Sequence, residues 1–221
     1  MGLKRVMDEV FLHVCCAPCL ATALETLRHE DSGGRFPPVG RIFFYNPNIH
    51  PLLEFRRRVK ALRVYLERDP VSAEIDEQYG LRDFLSRMAE AVREGADRRE
   101  RCRRCYEMRL GRAAGRAGES GFGAFSTTLL ASREQDRDMV AEVGREAAKR
   151  AGIAFVEGDL RRFVPDEKLL RGIYKQQYCG CVFSEEERYR NTGKHIYFSE
   201  NPRSDGKGSP LSGVSRDGVE G

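Results

Sequence analysis

Val10-Phe-Leu-His-Val-Cys-Cys-Ala-Pro-Cys-Leu-Ala-Thr-Ala-Leu-Glu-Thr-Leu27 is the stretch from which the rest of the chain can be read. Val10 to Val14 is a short apolar run of the kind a buried strand requires. Leu20 to Leu27 follows with helical spacing behind Pro18, a residue suited to a helix's first turn. The first cysteines therefore fill a strand-to-helix turn. The same order then repeats along the chain. Val39 to Tyr45 reads as a second strand ended by the loop Asn46-Pro47-Asn48, and Leu52 to Arg68 as a helix. Asp69-Pro70 opens a third extended segment reaching Ile75, and helical stretches follow from about Leu81 to Arg93 and Arg99 to Ala117. Gly121 to Ser126 is a strand ending in Thr127-Thr128, the residues from about Glu134 to Ala151 are helical, and Ile153 to Val156 is another strand. This alternation predicts an α/β fold, a Rossmann-like parallel sheet flanked by helices. In such sheets ligands collect at the carboxyl ends of strands, where the first cysteines and Thr127-Thr128 fall.

With 221 residues the chain can bury a real core, and a single α/β domain is expected over residues 1–198. The tail 199–221 is rich in glycine, serine and charge, and mobility is expected there. No stretch approaches the roughly 18 apolar residues of a membrane span, and Met1 to Val14 is too short and too charged for a signal peptide. A cytoplasmic protein with no membrane partner is the expectation. Basic residues exceed acidic ones by only 38 to 34, but they are mostly arginine and come in runs: Arg56 to Arg58, Arg98 to Arg104, and Arg161-Arg162. Arginine forks suit phosphates, which admits a nucleic-acid partner, although solvated helix faces carry such charges routinely. Asp31-Ser-Gly-Gly34 superficially resembles a nucleotide phosphate loop. It follows a helix and precedes Pro37-Pro38, which is the wrong context, so bound ATP or NAD is not indicated.

Seven cysteines fall in three groups, Cys15-Cys16-Ala-Pro-Cys19, Cys102-Arg-Arg-Cys105 and Cys179-Gly-Cys181. An odd number in clusters argues against a secreted disulfide framework and for thiolate chemistry or metal binding. Cys102 and Cys105 are read as opening a helix, where free N–H groups and the helix dipole stabilise thiolates, and Cys19 nearly so. Four thiolates suffice for an iron–sulfur cluster, leaving three for a second metal, and spacing alone does not divide the seven. A closed zinc site is the main alternative and dithiol redox chemistry the next. Adjacent cysteines, and three groups on separate elements, count against zinc. Among other polar residues, His50 stands at a strand end, His13 lies within the first strand, and Asp159 is either a substrate contact or a turn former.

The segments His13 to Cys19, Tyr45 to Pro51, Glu54-Phe55-Arg56, Cys102-x-x-Cys105-Tyr106 with Arg109-Leu110, Phe125 to Leu130, and Tyr178 to Ser184 together resemble the cobalamin-independent epoxyqueuosine reductases of the QueH type. They occur in family order over about residues 10–184. The resemblance implies a sheet related to adenine-nucleotide α-hydrolases, a [4Fe-4S] cluster and an additional iron ion. By that resemblance Cys15, Cys16, Cys102 and Cys105 are cluster ligands, while Cys19, Cys179 and Cys181 hold the adjacent iron and are catalytic. Cys19 occupies a position where some relatives carry aspartate. Tyr45, Asn46, Asn48, His50, Thr127 and Thr128 are the implied substrate-binding residues. The implied reaction is reduction of the cyclopentane epoxide at the wobble position of tRNA bearing epoxyqueuosine, with electrons from a donor the sequence does not identify. The rival reading is a zinc-stabilised RNA-binding module without catalysis.

Overall fold

The computed structural model describes residues 6–31 and 36–190. The expected tail at 199–221 and the glycines of the rejected phosphate loop lie outside the described residues. Five strands, β1 (Val6–His13), β2 (Val39–Phe44), β3 (Ala73–Ile75), β4 (Phe122–Thr127) and β5 (Ala154–Phe155), form one all-parallel sheet in the order β3-β2-β1-β4-β5. The helices are α1 (Ala17–Asp31), α2 (Leu52–Arg68), α3 (Leu81–Arg93), α4 (Arg98–Glu119), α5 (Arg137–Ala151), α6 (Glu167–Leu170) and α7 (Val182–Tyr189). A turn of 3₁₀ helix, Thr128–Ala131, follows β4. None of the helices is long and apolar enough to cross a membrane.

Side chains alternate across a strand, and the sheet is covered accordingly. Leu12, Ile42 and Phe44 meet Phe55, Val59 and Leu62 of α2 in one apolar cluster. Phe11, Phe43 and Phe125 join Leu110, Ala114 and Val143 of α4 and α5 in another. The chain builds β1, β2 and β3 outward in one direction, then crosses to lay β4 and β5 on the other side of β1. The carboxyl ends of β1 and β4 are therefore the topological switch point, where a crevice opens in open α/β sheets. His13 pairs in register with Thr127 there, and Cys15 and Thr128 come next on their chains.

Several boundaries differ from the sequence reading. The first strand ends at His13, so Val14, Cys15 and Cys16 form the turn while Cys19 lies in the first turn of α1, and the strand's start extends back to Val6. The long helix near the C-terminal half begins at Arg137 because the Asp136 carboxylate accepts the Met139 N–H at 3.1 Å. Strand β5 is only two residues long. It is pinned by α5, where Gly144 lets the Phe155 ring approach so closely that an added Cβ would lie 2.4 Å from it.

This contact yields a matched pair of helix substitutions. Gly144→Ala forces the Phe155 ring aside and is expected to destabilise the protein by roughly 1–3 kcal/mol. Gly115→Ala in α4 meets nothing within 4 Å and is expected to stabilise by about 0.5–1 kcal/mol. Thermal denaturation of the two variants checks the contrast, and a stabilising Gly144→Ala would contradict the close packing of α5 on β5.

Candidate metal centre

Cys15 and Cys16 in the β1–α1 turn and Cys19 in the first turn of α1 have their sulfurs all within 4.8 Å of one another, and all three are buried. Cys15 and Cys16 sulfurs are 3.7 Å apart. The Cys15 N–H donates to Thr128 Oγ1 at 3.0 Å, and that hydroxyl lies 3.3 Å from the Cys15 sulfur. From the C-terminal segment, Gln176 Nε2 donates to Cys16 Sγ at 2.8 Å. Hydrogen bonds from Cys16 and Cys19, with help from Arg109, hold the Cys15 thiol well below its ordinary range. Donation to Cys15, then burial, pushes Cys16 up to about 12 and Cys19 upward as well. The three sulfurs thus share protons around one thiolate. A soft metal ion would take the place of those protons.

The other four cysteines line a common cavity together with Asn48 and Arg109. Cys102 and Cys105 do not open their helix. Helix α4 begins at Arg98, capped by Asp97, whose carboxylate accepts the Glu100 N–H at 2.8 Å. The two cysteines lie on the second turn, three residues apart on one face, beyond the free N–H groups. Burial accordingly raises the Cys102 thiol and pushes Cys105 up to about 12. The helix-end stabilisation occurs instead at Cys181, which caps α7 by accepting the Ser184 N–H at 3.3 Å. Cys179 Sγ is 3.6 Å from Cys181 Sγ. That bond lowers Cys179 to about 6 and raises Cys181.

Two buried guanidinium groups join these sulfur groups. Arg58 pairs with Glu54 at 2.7 Å, and Tyr174 OH donates to the other Glu54 oxygen at 2.7 Å. Arg58 also donates to the carbonyls of Cys179 and Tyr178 at 2.9 and 3.1 Å, which fixes the loop carrying Cys179 and Cys181. Arg109 is 2% exposed and donates to Asn46 Oδ1 at 2.6 Å. It meets no carboxylate among the described residues, and its Nε has no partner. Its charge reaches sulfurs of all three cysteine groups, favouring the thiolate at Cys15 and Cys179 and opposing the effect of burial at Cys105. A buried cation without a carboxylate calls for an anionic centre beside it. Soft sulfur donors beside two buried arginines suit a soft metal ion.

The remaining sequence candidates divide by what they bond. His13 is fully buried, with Nδ1 2.8 Å from Thr127 Oγ1 and Nε2 3.1 Å from the Tyr45 carbonyl, so it ties together the ends of β1, β2 and β4. Burial, then Arg109, lowers it to about 3, and it is neutral. Asn46 spends both ends of its amide, receiving Arg109 and donating to the Val14 carbonyl at 2.8 Å. Thr127 and Thr128 likewise serve His13 and Cys15. Tyr45 is half-buried with its ring parallel to that of Phe43. Asn48 is buried with neither amide atom partnered, and His50 has Nδ1 2.9 Å from Tyr79 OH but a free Nε2. Burial lowers His50 to about 4. Asp159 accepts the Arg161 N–H at 3.2 Å and forms the turn there. Gln176 had no assigned role in the sequence reading, Arg58 stood there only in a basic run suited to phosphates but is buried against protein carbonyls, and Arg109 was a motif residue without a role. The helical phase of Phe55, Val59 and Leu62 places Arg58 inward, which was a readable signal.

Comparison with known proteins follows the same residues. The family described as epoxyqueuosine reductase QueH matches residues 10–187. Among curated proteins, an epoxyqueuosine reductase QueH of Dehalococcoides mccartyi is 31% identical over 184 residues, 82% of this chain and 94% of that protein. One from Thermotoga maritima is 34% identical over 190 residues, covering 82% and 93%. Another from Acinetobacter baylyi is 33% identical over 189 residues, covering 83% of each.

The glycine between the last two cysteines offers a test that touches no sulfur. Gly180 has φ +118°, and a Cβ there would lie 3.0 Å from both Arg58 Nη1 and Ile49 Cγ1. Gly180→Ala is expected to cost roughly 1–3 kcal/mol of stability and to lower metal retention, because the backbone region is closed to side chains. Melting temperature and metal content of the purified variant check this, and a variant equal to wild type in both would contradict the tight loop.

Proposed function

The chain belongs to the epoxyqueuosine reductase QueH family, and from that premise we propose that it reduces the cyclopentane epoxide of epoxyqueuosine at the wobble position of tRNA, in the cytosol. The oxygen leaves as water and an alkene remains, which consumes two electrons and two protons per epoxide. An external donor provides the electrons. Cys15, Cys16, Cys102 and Cys105 are proposed to hold a [4Fe-4S] cluster, and Cys19, Cys179 and Cys181 an adjacent iron ion. When bound, these groups supply single electrons and a Lewis acid for the epoxide oxygen.

The single observation that carries the reading is Arg109, a buried cation with no carboxylate among the described residues, whose charge reaches sulfurs of all three groups. The protein's own groups have separable tasks around it. Arg58 holds the Cys179–Cys181 loop by its carbonyls, and Thr128 and Gln176 hydrogen-bond Cys15 and Cys16. Such donors delocalise negative charge on sulfur and fix its position. Asn48 and His50 are proposed as substrate contacts, because their buried polar atoms have no partner within the protein. His50 is uncharged at neutral pH and orients a polar group without adding charge. Tyr45 would line the same approach, with Asn46, Thr127 and Thr128 supporting it from behind.

Two sets of substitutions test the proposal under anaerobic conditions. Cys102→Ser should remove most cluster iron and the absorbance near 400 nm, since a serine oxygen is a harder donor than thiolate. Wild-type iron content in that variant, or colourless wild-type protein with stoichiometric zinc after iron reconstitution, would sink the cluster. Changing both Cys179 and Cys181 to alanine should leave the reduced-cluster spin-resonance signal while abolishing reduction of epoxyqueuosine-containing tRNA by a chemical reductant. Loss of the signal would place these cysteines on the cluster. Turnover at the wild-type rate would deny the second metal a catalytic role.

A further inference from the structure

The arginine runs that stand out in the sequence are mostly committed within the protein. Arg98 and Arg101 pair with Glu187, Arg99 with Asp136, Arg103 with Glu142 and Arg104 with Glu94. Arg58 is buried against Glu54. Unpaired cations gather elsewhere. A cavity of about 850 Å³ lies between the start of α1, the turn after β4 and the segment from Arg161 to Gln176. Arg133, Arg161, Arg171 and Lys175 stand around it, against the single carboxylate of Glu167.

None of these four side chains makes an ion pair with a carboxylate of the described residues. Arg161 is fixed instead by donating to the carbonyls of Leu130, at 3.2 Å, and Ser132. Apolar side chains stand among the cations: Val164 is 85% exposed, and Phe163 stacks on His29 with ring centroids 4.4 Å apart. Gln176, which lines the cavity, donates to Cys16 Sγ, so one wall residue links the cavity to the first cysteine group. Its Oε1 is buried without a partner.

We propose that this cavity is the RNA-docking groove, in which Arg133, Arg161, Arg171 and Lys175 hold phosphates flanking the reacting nucleotide and direct that nucleotide toward Cys16. This rests on the reading of the substrate as tRNA. Guanidinium forks match phosphate oxygens, while an unstacked base lies on apolar carbon. The volume lies within the range of about 300–1,000 Å³ that small ligand groups occupy. An acidic electron-donor protein would also favour basic charge, but protein partners spread over broad surfaces of roughly 800 Å² a side rather than entering a concave slot.

The test compares two charge-matched variants of the iron-loaded full chain. Arg133→Glu/Lys175→Glu alters two cations that separate chain segments bring to the groove. Lys149→Glu/Arg150→Glu alters the C-terminal end of α5, at the other end of the sheet. Binding of epoxyqueuosine-containing tRNA is followed by fluorescence anisotropy across a salt series. The groove pair should lose about tenfold or more in affinity and flatten the log–log salt dependence by about 1–2, while the α5 pair stays within about twofold of wild type. With a chemical reductant, KM for the tRNA should rise by more than kcat falls.

Unchanged affinity in the groove pair, or equal losses in both pairs, would overturn the proposal. Slower turnover only with a protein electron donor, with tRNA binding intact, would also overturn it and assign the groove to that donor. If the groove pair does not fold, Arg171→Gln/Lys175→Gln carries the same comparison. Wild-type protein that binds the tRNA but leaves its epoxide intact would count against the catalytic reading alone, and the affinity comparison would still decide the groove.

Discussion

Taking a guanidinium out of water costs several kcal/mol unless anions and hydrogen-bond acceptors replace the solvent. Arg109 is enclosed at the carboxyl end of the sheet with Asn46 as its hydrogen-bond partner, no carboxylate among the described residues and an unpartnered Nε. The groups within its reach that can carry compensating charge are cysteine sulfurs, and they come from the β1–α1 turn, from α4 and from the loop before α7. These three groups are separated by dozens of residues in the chain. One buried cation therefore links the folding of the sheet to the charge state of the cysteines.

The fold supplies the rest of the constraint by bringing chain ends together at the switch point. His13 bonds Thr127 and the Tyr45 carbonyl, so three strands are held at one level. Thr128 then meets Cys15, and Asn46 carries Arg109 back to the Val14 carbonyl. Arg58 performs a parallel task on the opposite side, linking α2 to the Cys179–Cys181 loop. Polar networks of this kind are costly when incomplete and rigid when satisfied. Asn48 and the His50 Nε2 are, like the Arg109 Nε, incomplete members, and they stand beside the cysteine cavity or its neighbouring aromatics.

Much of this was legible in sequence. Helices α2 and α3 were readable to both ends, because strong 3.6-residue spacing and flanking turn residues agreed. The parallel α/β arrangement followed from alternation, but the strand order did not, since pairing between β1 and β4 depends on contacts over a hundred residues apart. The start of α4 was misplaced by one residue, and the Cys102–Cys105 pair was credited with helix-end stabilisation it lacks. Asp97 with Glu100 three residues on is a capping signature that marks the true start. Cys181 as the cap of α7 had no comparable signal, because cysteine is not among the usual capping residues. The arginine runs were a partial guide, since Arg161 of the third run stands at the cavity while the second run is paired: a charge run shows where cations are in the chain, whereas acidic partners on other elements decide which remain free. That is why Arg98 to Arg104 are paired while Arg133, Arg171 and Lys175, scattered in sequence, surround one cavity.

The account turns on Arg109 being compensated by an anionic iron–thiolate centre. The direct measurement is the melting temperature of wild type and Arg109→Met, each with and without iron, under anaerobic conditions. If the account is right, methionine removes a buried uncompensated charge from the iron-free protein and leaves it as stable as wild type or more so, while the stabilisation gained on loading iron shrinks markedly. Equal stabilisation by iron in both proteins would show that the charge of Arg109 is not coupled to the metal centre, and would contradict it.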